Sequence, residues 1–169
     1  RAAHEAFGRG TEERIDALER GLSCHRTRIQ ARPMAGHTPL ERVDAFFRAA
    51  TKGLMRRPRL ARAILRAAAS GDHELAEKVA AFHSRMSAMI LAAMHGQPVA
   101  TQIASASNGA EVPVVLPVAD DDEIAVAALL QHIWFSCLIG WAGGLMGQNE
   151  VIERMGSATA LLTRATQKN

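Results

Sequence analysis

Hydrophobic positions along this chain recur mostly at helical spacing, as single stripes. One stretch departs from that. From Ile124 to Met146 the residues IAVAALLQHIWFSCLIGWAGGLM are apolar on every side of a helix. A helix in water needs only one buried face, so this one must be covered all round. A membrane, a large core or a subunit interface would do it. Gln131, His132 and Ser136 interrupt the run, Asp120, Asp121, Asp122 and Glu123 precede it, and no basic cluster flanks it closely. No other segment is long enough to span a bilayer. The pattern therefore favours a protein core or interface, although Gly140 and Gly144 stand in GxxxG spacing.

The other segments read as amphipathic helices. A polar first helix is predicted from about Ala2 to Leu22, with a thin stripe of Ile15, Leu18 and Leu22. A basic connector follows, Ser23 to His37, broken by Pro33 and Gly36. Thr38-Pro39-Leu40-Glu41 is a capping box: Thr38 caps, Pro39 suits the first helical position, and Glu41 reaches back to the cap amide. The helix it opens buries Val43, Phe46, Phe47, Ala50 and Leu54. Pro58 starts another, carrying Leu60, Ile64 and Leu65 and ending at Ser70-Gly71. Asp72 caps a long helix to about His95, striped by Leu75, Val79, Phe82, Met86, Met89, Ile90 and Ala93. Gly96 to Ala119 breaks the pattern, since Pro113 and Pro117 remove donors and clash within a helix. An irregular loop of that length is usually functional or mobile. The acidic run Asp120–Glu123 suits the positive end of the apolar helix's dipole. Gly147-Gln148-Asn149 turns the chain into a last amphipathic helix, Glu150 to about Thr166. The expected fold is all-α, about six helices in one domain over residues 1–169, with 1–22 as a linking helix and 96–119 as a long loop.

Composition agrees. The chain has 169 residues, 48% hydrophobic and 22% charged, with no tyrosine, which fits one globular helical domain. A formal charge of +3 permits an anionic partner without demanding one. Cys24 and Cys137 are far apart and form no metal-ligand spacing, so a reducing cytoplasm is the expected compartment. The start at Arg1, with neither an initiator methionine nor a signal peptide, reads as a fragment lacking its N-terminal part.

Catalytic chemistry is missing from the pattern. No nucleophile elbow, phosphate loop, dinucleotide fingerprint or HExxH motif occurs. The seven histidines are scattered, and His83 and His132 read as satisfied or half-exposed helical residues. Cys137 reads as a small hydrophobe. No catalytic residue, metal site or cofactor is expected, and the chain does not read as an enzyme. Two features stand out more. Phe46, Phe47, Leu54, Met86, Met89, Ile90, Trp134 and Leu138 either face one adaptable cavity or form plain core. Arg59, Arg62 and Arg66 share a helix face at i, i+3, i+7, which either meets an anionic group or is simply solvated.

The stretch TPLERVDAFFRAATKGLMRRPRLARAILRAAAS resembles the ligand-binding domain of TetR-family transcriptional repressors. HIWFSCLIGWAGG followed by VIERMGSATALLTRA is similar to that family's final helix pair, and HEAFGRGTEERIDALER to the helix linking its two domains. The likeness covers Arg1–His95 and Asp120–Asn169 and is nearest to actinobacterial repressors of sterol and cholesterol catabolism. Two departures stand out. The family's N-terminal helix-turn-helix domain has no counterpart here, and the segment 96–119 is longer than expected for the sterol group.

The resemblance implies a cytoplasmic homodimer, built as a four-helix bundle from the last two helices of each subunit. Ile133, Gly140, Gly143, Gly144, Val151, Met155, Ala158 and Leu162 are the expected interface. It also implies a small apolar effector, such as a sterol- or acyl-CoA-like lipid, held by the eight cavity residues with Arg59 or Arg62 at the mouth. Effector binding would release operator DNA held by the missing N-terminal domain, with no membrane partner. The alternative is a helical ligand carrier or interaction module with no DNA role.

Overall fold

A computed structural model describes residues 33–69, 73–98 and 118–166, and these form five helices and no strand. They are α1 (Pro39–Met55), α2 (Pro58–Ala68), α3 (His73–Met94), α4 (Asp121–Ala142) and α5 (Gln148–Thr166). The all-α expectation holds, and the five helices correspond to the second through sixth read from sequence. The predicted helix over residues 2–22, the cap at Asp72 and most of the loop at 96–119 lie outside the described residues.

The Thr38 capping box forms as its sequence requires. The Glu41 amide donates to Thr38 Oγ1 at 3.2 Å, and the Glu41 carboxylate accepts from the amides of Thr38 and His37. Those backbone donors hold the Glu41 carboxyl below the usual carboxylate range. A second capping box, unread in the sequence, opens α4: Glu123 N donates to Asp120 Oδ1 at 2.8 Å and Asp120 N donates back to Glu123. The acidic run is thus cap chemistry as well as dipole complement.

Two helices end on glycines with positive φ. At the end of α4, Gly144 has φ 82°, its amide donates to Trp141 O, and Leu145 N donates to Gly140 O. Gly96, at φ 66°, ends α3 with the same pair of bonds, to Ala93 O and Ala92 O. Only glycine enters this left-handed cap without strain. The turn after α4 therefore spans 143–147, and α5 begins at Gln148, two residues before the expected start.

The helices pack so that α1 lies against both α3 and α5, while α4 touches α2, α3 and α5. α4 is long and apolar enough to cross a membrane by length and composition, yet half of its apolar stretch is buried within this bundle. Val126, Ala127, Leu130, Trp134, Cys137, Leu138 and Trp141 all enter the core. Cover by protein on three sides answers much of the need that the all-round apolar pattern posed.

Candidate functional site: the apolar centre of the bundle and its polar margins

The eight expected cavity residues meet in one cluster. Phe46, Phe47, Met86, Ile90, Trp134 and Leu138 are buried in it, and Leu54 and Met89 pack against it half-buried. Heptad-like spacing on α1 puts Val43, Phe46, Phe47 and the turn at Thr51 inward. The aromatic rings form a chain: Phe46 meets Phe47 edge-on at 5.3 Å, and Phe47 lies 6.0 Å from Trp134 of α4. Such pairs add to the stabilisation of area burial alone.

One hydrogen bond fixes the centre. Trp134 Nε1 donates to Thr51 Oγ1 at 2.9 Å, and Thr51 is fully buried. An indole N–H in an apolar core requires such a partner. Sequence reading took Trp134 for the site and missed Thr51, because one threonine on an apolar stripe carries no periodic signal.

The arginines of α2 sit elsewhere, against the end of α4. Arg62 places its guanidinium 5.0 Å from the centre of the Trp141 ring, and Arg66 Nη2 donates to Ala142 O at 3.3 Å. α4 has no basic residue in its own last turn, so α2 supplies the positive charge its carboxyl end favours. The face read as solvated or anion-binding is in part a helix-end contact. Arg59 is exposed beside it.

The residues expected at the dimer interface divide. Val151 and Met155 are buried in the subunit's own core. Ile133, Ala158 and Leu162 are half-buried and pack against that core. Gly140 does permit a close approach, but the neighbour is the chain's own Met146, whose methyl lies 2.7 Å from where a Cβ would stand. Gly143 is the C-cap of α4 and Gly144 its left-handed turn residue. Both are exposed. Helix termination accounts for these two glycines without a second subunit.

Between α3 and α4 the two histidines come together. Their rings are 5.4 Å apart, and His83 also meets the Phe135 ring edge-on at 5.0 Å. His132 Nδ1 lies 2.7 Å from Ala128 O. His83 is half-exposed as a residue, as expected, but its Nε2 atom is buried with no hydrogen-bond partner. The two residues are 49 apart in sequence on different helices, and only packing aligns them. No group of three or more metal-ligand side chains occurs among the described residues. Cys137 is free and buried, and burial raises its thiol pKa, away from reactivity.

Burial lowers the His83 pKa, and the nearby His132 lowers it further. Below its ordinary value of 6.5 the unfolded chain therefore binds the proton more readily than the folded one. The stabilising contribution is complete above that value. It declines as pH falls from there toward the lowered folded value. Thermal unfolding between about pH 7.5 and 5 should show a falling midpoint, and His83→Phe should flatten that slope. An equal slope in both proteins would show that His83 is not the group responsible.

No curated protein matches the chain. Residues 36–107 match the family model described as tetracyclin repressor-like, C-terminal domain, a stretch that contains α1, α2 and α3. Over that stretch, less than half of its length, the chain is similar to the C-terminal domain of tetracyclin-type repressors, and the all-helical fold of the described residues agrees with that likeness.

Proposed function

We propose that this chain is the effector-binding and dimerisation part of a TetR-type transcriptional repressor. The observation that carries the reading is the match of residues 36–107 to that family's C-terminal domain. A small apolar effector, such as a sterol- or acyl-CoA-like lipid, binds among α1, α3 and α4 near Phe46, Phe47, Met86 and Trp134. It does so by differential affinity for two arrangements of the bundle. Operator DNA is held by a helix-turn-helix domain ahead of Arg1, and the effector shifts the spacing of the paired recognition helices. The protein acts in the cytoplasm.

The dimer uses the outward faces of α4 and α5. Along α4 the residues Ala125, Leu129, His132 and Ser136 are exposed at alternating spacings of four and three, the seam geometry of paired helices. Leu129 is 50% exposed and Leu161 on α5 is 68% exposed. Counted outward from Leu145 in the turn, the two leucines stand equally far along their antiparallel helices. A second copy would cover both. This face replaces Val151 and Met155 as the interface, since those two are already buried.

Light scattering coupled to gel filtration tests the arrangement. The wild-type chain should run as a dimer at micromolar concentration. A Leu129→Glu/Leu161→Glu double variant should run as a monomer with unchanged helical circular dichroism, because four carboxylates would be forced into one apolar seam. A clean wild-type monomer would remove the proposed assembly.

A further inference from the structure

Three buried side-chain atoms among the described residues have no hydrogen-bond partner: His83 Nε2, Gln131 Nε2 and Thr159 Oγ1. Buried polar atoms are paired in nearly all folded proteins, so each exception needs a reason. Two of the three lie along one seam. α3 and α4 run antiparallel, with His95 Nε2 3.1 Å from Glu123 Oε2 at one end and His83 against Phe135 further down. Gln131 is one turn from Phe135 on the same side of α4. That register sets it level with Ser87 of α3, which is half-buried and flanked by the buried Met86, Ala88 and Ile90. Gln131 is 1% exposed. A leucine there would leave no donor unpaired, so the carboxamide costs the core free energy unless a ligand supplies its partner.

We propose that Gln131 and His83 form the polar end of the effector site, and that the effector is an apolar molecule carrying one uncharged oxygen, such as a ketone or ester, which accepts a hydrogen bond from the Gln131 carboxamide. The inference rests on the reading of this bundle as an effector domain. The carboxamide supplies donors with no charge. Burial disfavours the charged form of His83, and the neutral imidazole offers one donor and one acceptor. The α2 arginines that contact α4 do so at its carboxyl end, at Trp141 and Ala142, about three helical turns from Gln131. The Gln131 donor itself carries no charge, so a neutral oxygen would gain the hydrogen bond that the fold leaves unpaired without the desolvation cost a carboxylate would carry.

Decan-2-one and decane, matched in length and differing in the carbonyl, serve as probes. Each is titrated into the 13C,15N-labelled chain, with the Gln131 side-chain amide assigned through its own side-chain carbons. The wild type should bind the ketone about tenfold more tightly than the alkane, as one neutral hydrogen bond predicts. The Gln131 amide signals should move with the ketone and not with the alkane. Gln131→Leu should bind both probes alike, and His83→Phe should narrow the difference. Equal wild-type affinities, a ketone preference that survives in Gln131→Leu, or a Gln131 amide unmoved by bound ketone would each overturn the polar end while leaving the effector site standing. Binding of neither probe to the wild type would overturn both. The wild-type amide shift decides the matter even if a variant fails to fold.

Discussion

Truncating Trp134 to alanine should destabilise the protein by about 3–5 kcal/mol, the largest effect expected of any single change here. The indole lies at the centre of the bundle, 4% exposed, against Phe47 and bonded to Thr51. Three losses combine. Apolar area returns to water on unfolding with less benefit regained, a cavity opens between α1 and α4, and the buried Thr51 hydroxyl loses its donor. Thr51→Val is expected to cost less, about 1–3 kcal/mol, because it removes only the acceptor and leaves the indole N–H unpaired. The two changes share one bond, so they should not add. A double-mutant cycle by urea unfolding should return a coupling of about 1 kcal/mol or more. Strict additivity would mean that the hydrogen bond adds nothing beyond packing.

The second large effect is expected at Arg42. Its guanidinium joins three carbonyls at the junction of α1 and α3: Nε donates to Ala93 O at 2.9 Å, Nη1 to His37 O at 3.0 Å, and Nη2 to Met94 O. Two of these carbonyls belong to the last turn of α3, where Ala93 O also accepts from the Gly96 amide and the dipole favours a cation. The planar fork satisfies them while also holding the entry to α1 at His37. Arg42→Met keeps most of the stem and removes the charge and all three donors. A loss of about 2–3 kcal/mol follows, reduced from a fully buried value because water reaches part of the site. For a chain of this size that corresponds to a thermal midpoint lower by about 5–10 °C. Arg42→Lys should recover only part of it, since one ammonium cannot span three acceptors. A loss below about 0.5 kcal/mol in the methionine variant would show that solvent replaces the guanidinium at no expense to the fold.

Both effects are invisible in the chain read linearly, and the reason is sequence separation. Thr51 and Trp134, Arg42 and Ala93, His83 and His132 are joined by packing across helices. Periodicity reports which face of a helix is apolar, but not which residue of another helix that face will meet. The same limit explains the interface residues. Val151 and Met155 were legible as apolar positions of the last helix, yet only the packing of α5 on α1 and α4 assigns them to the subunit interior. Gly140, Gly143 and Gly144 were legible as small residues, yet their work lies in ending α4 and accommodating Met146.

Local rules, by contrast, acted within a few residues and could be read directly. The Thr38 capping box, the proline at the start of α1, the break at Pro58 and the glycine after α3 each depend on backbone geometry that a neighbour three or four positions away completes. The sequence alone therefore determined that the chain is helical, where the five described helices lie to within a few residues, and that Ile124–Met146 must be enclosed. Tertiary structure decided what encloses it, which polar atoms find partners, and which two do not along the seam of α3 and α4. The physical reason is one of range. Helix formation and capping are settled by contacts within a turn, whereas enclosure and pairing depend on surfaces brought together from distant parts of the chain.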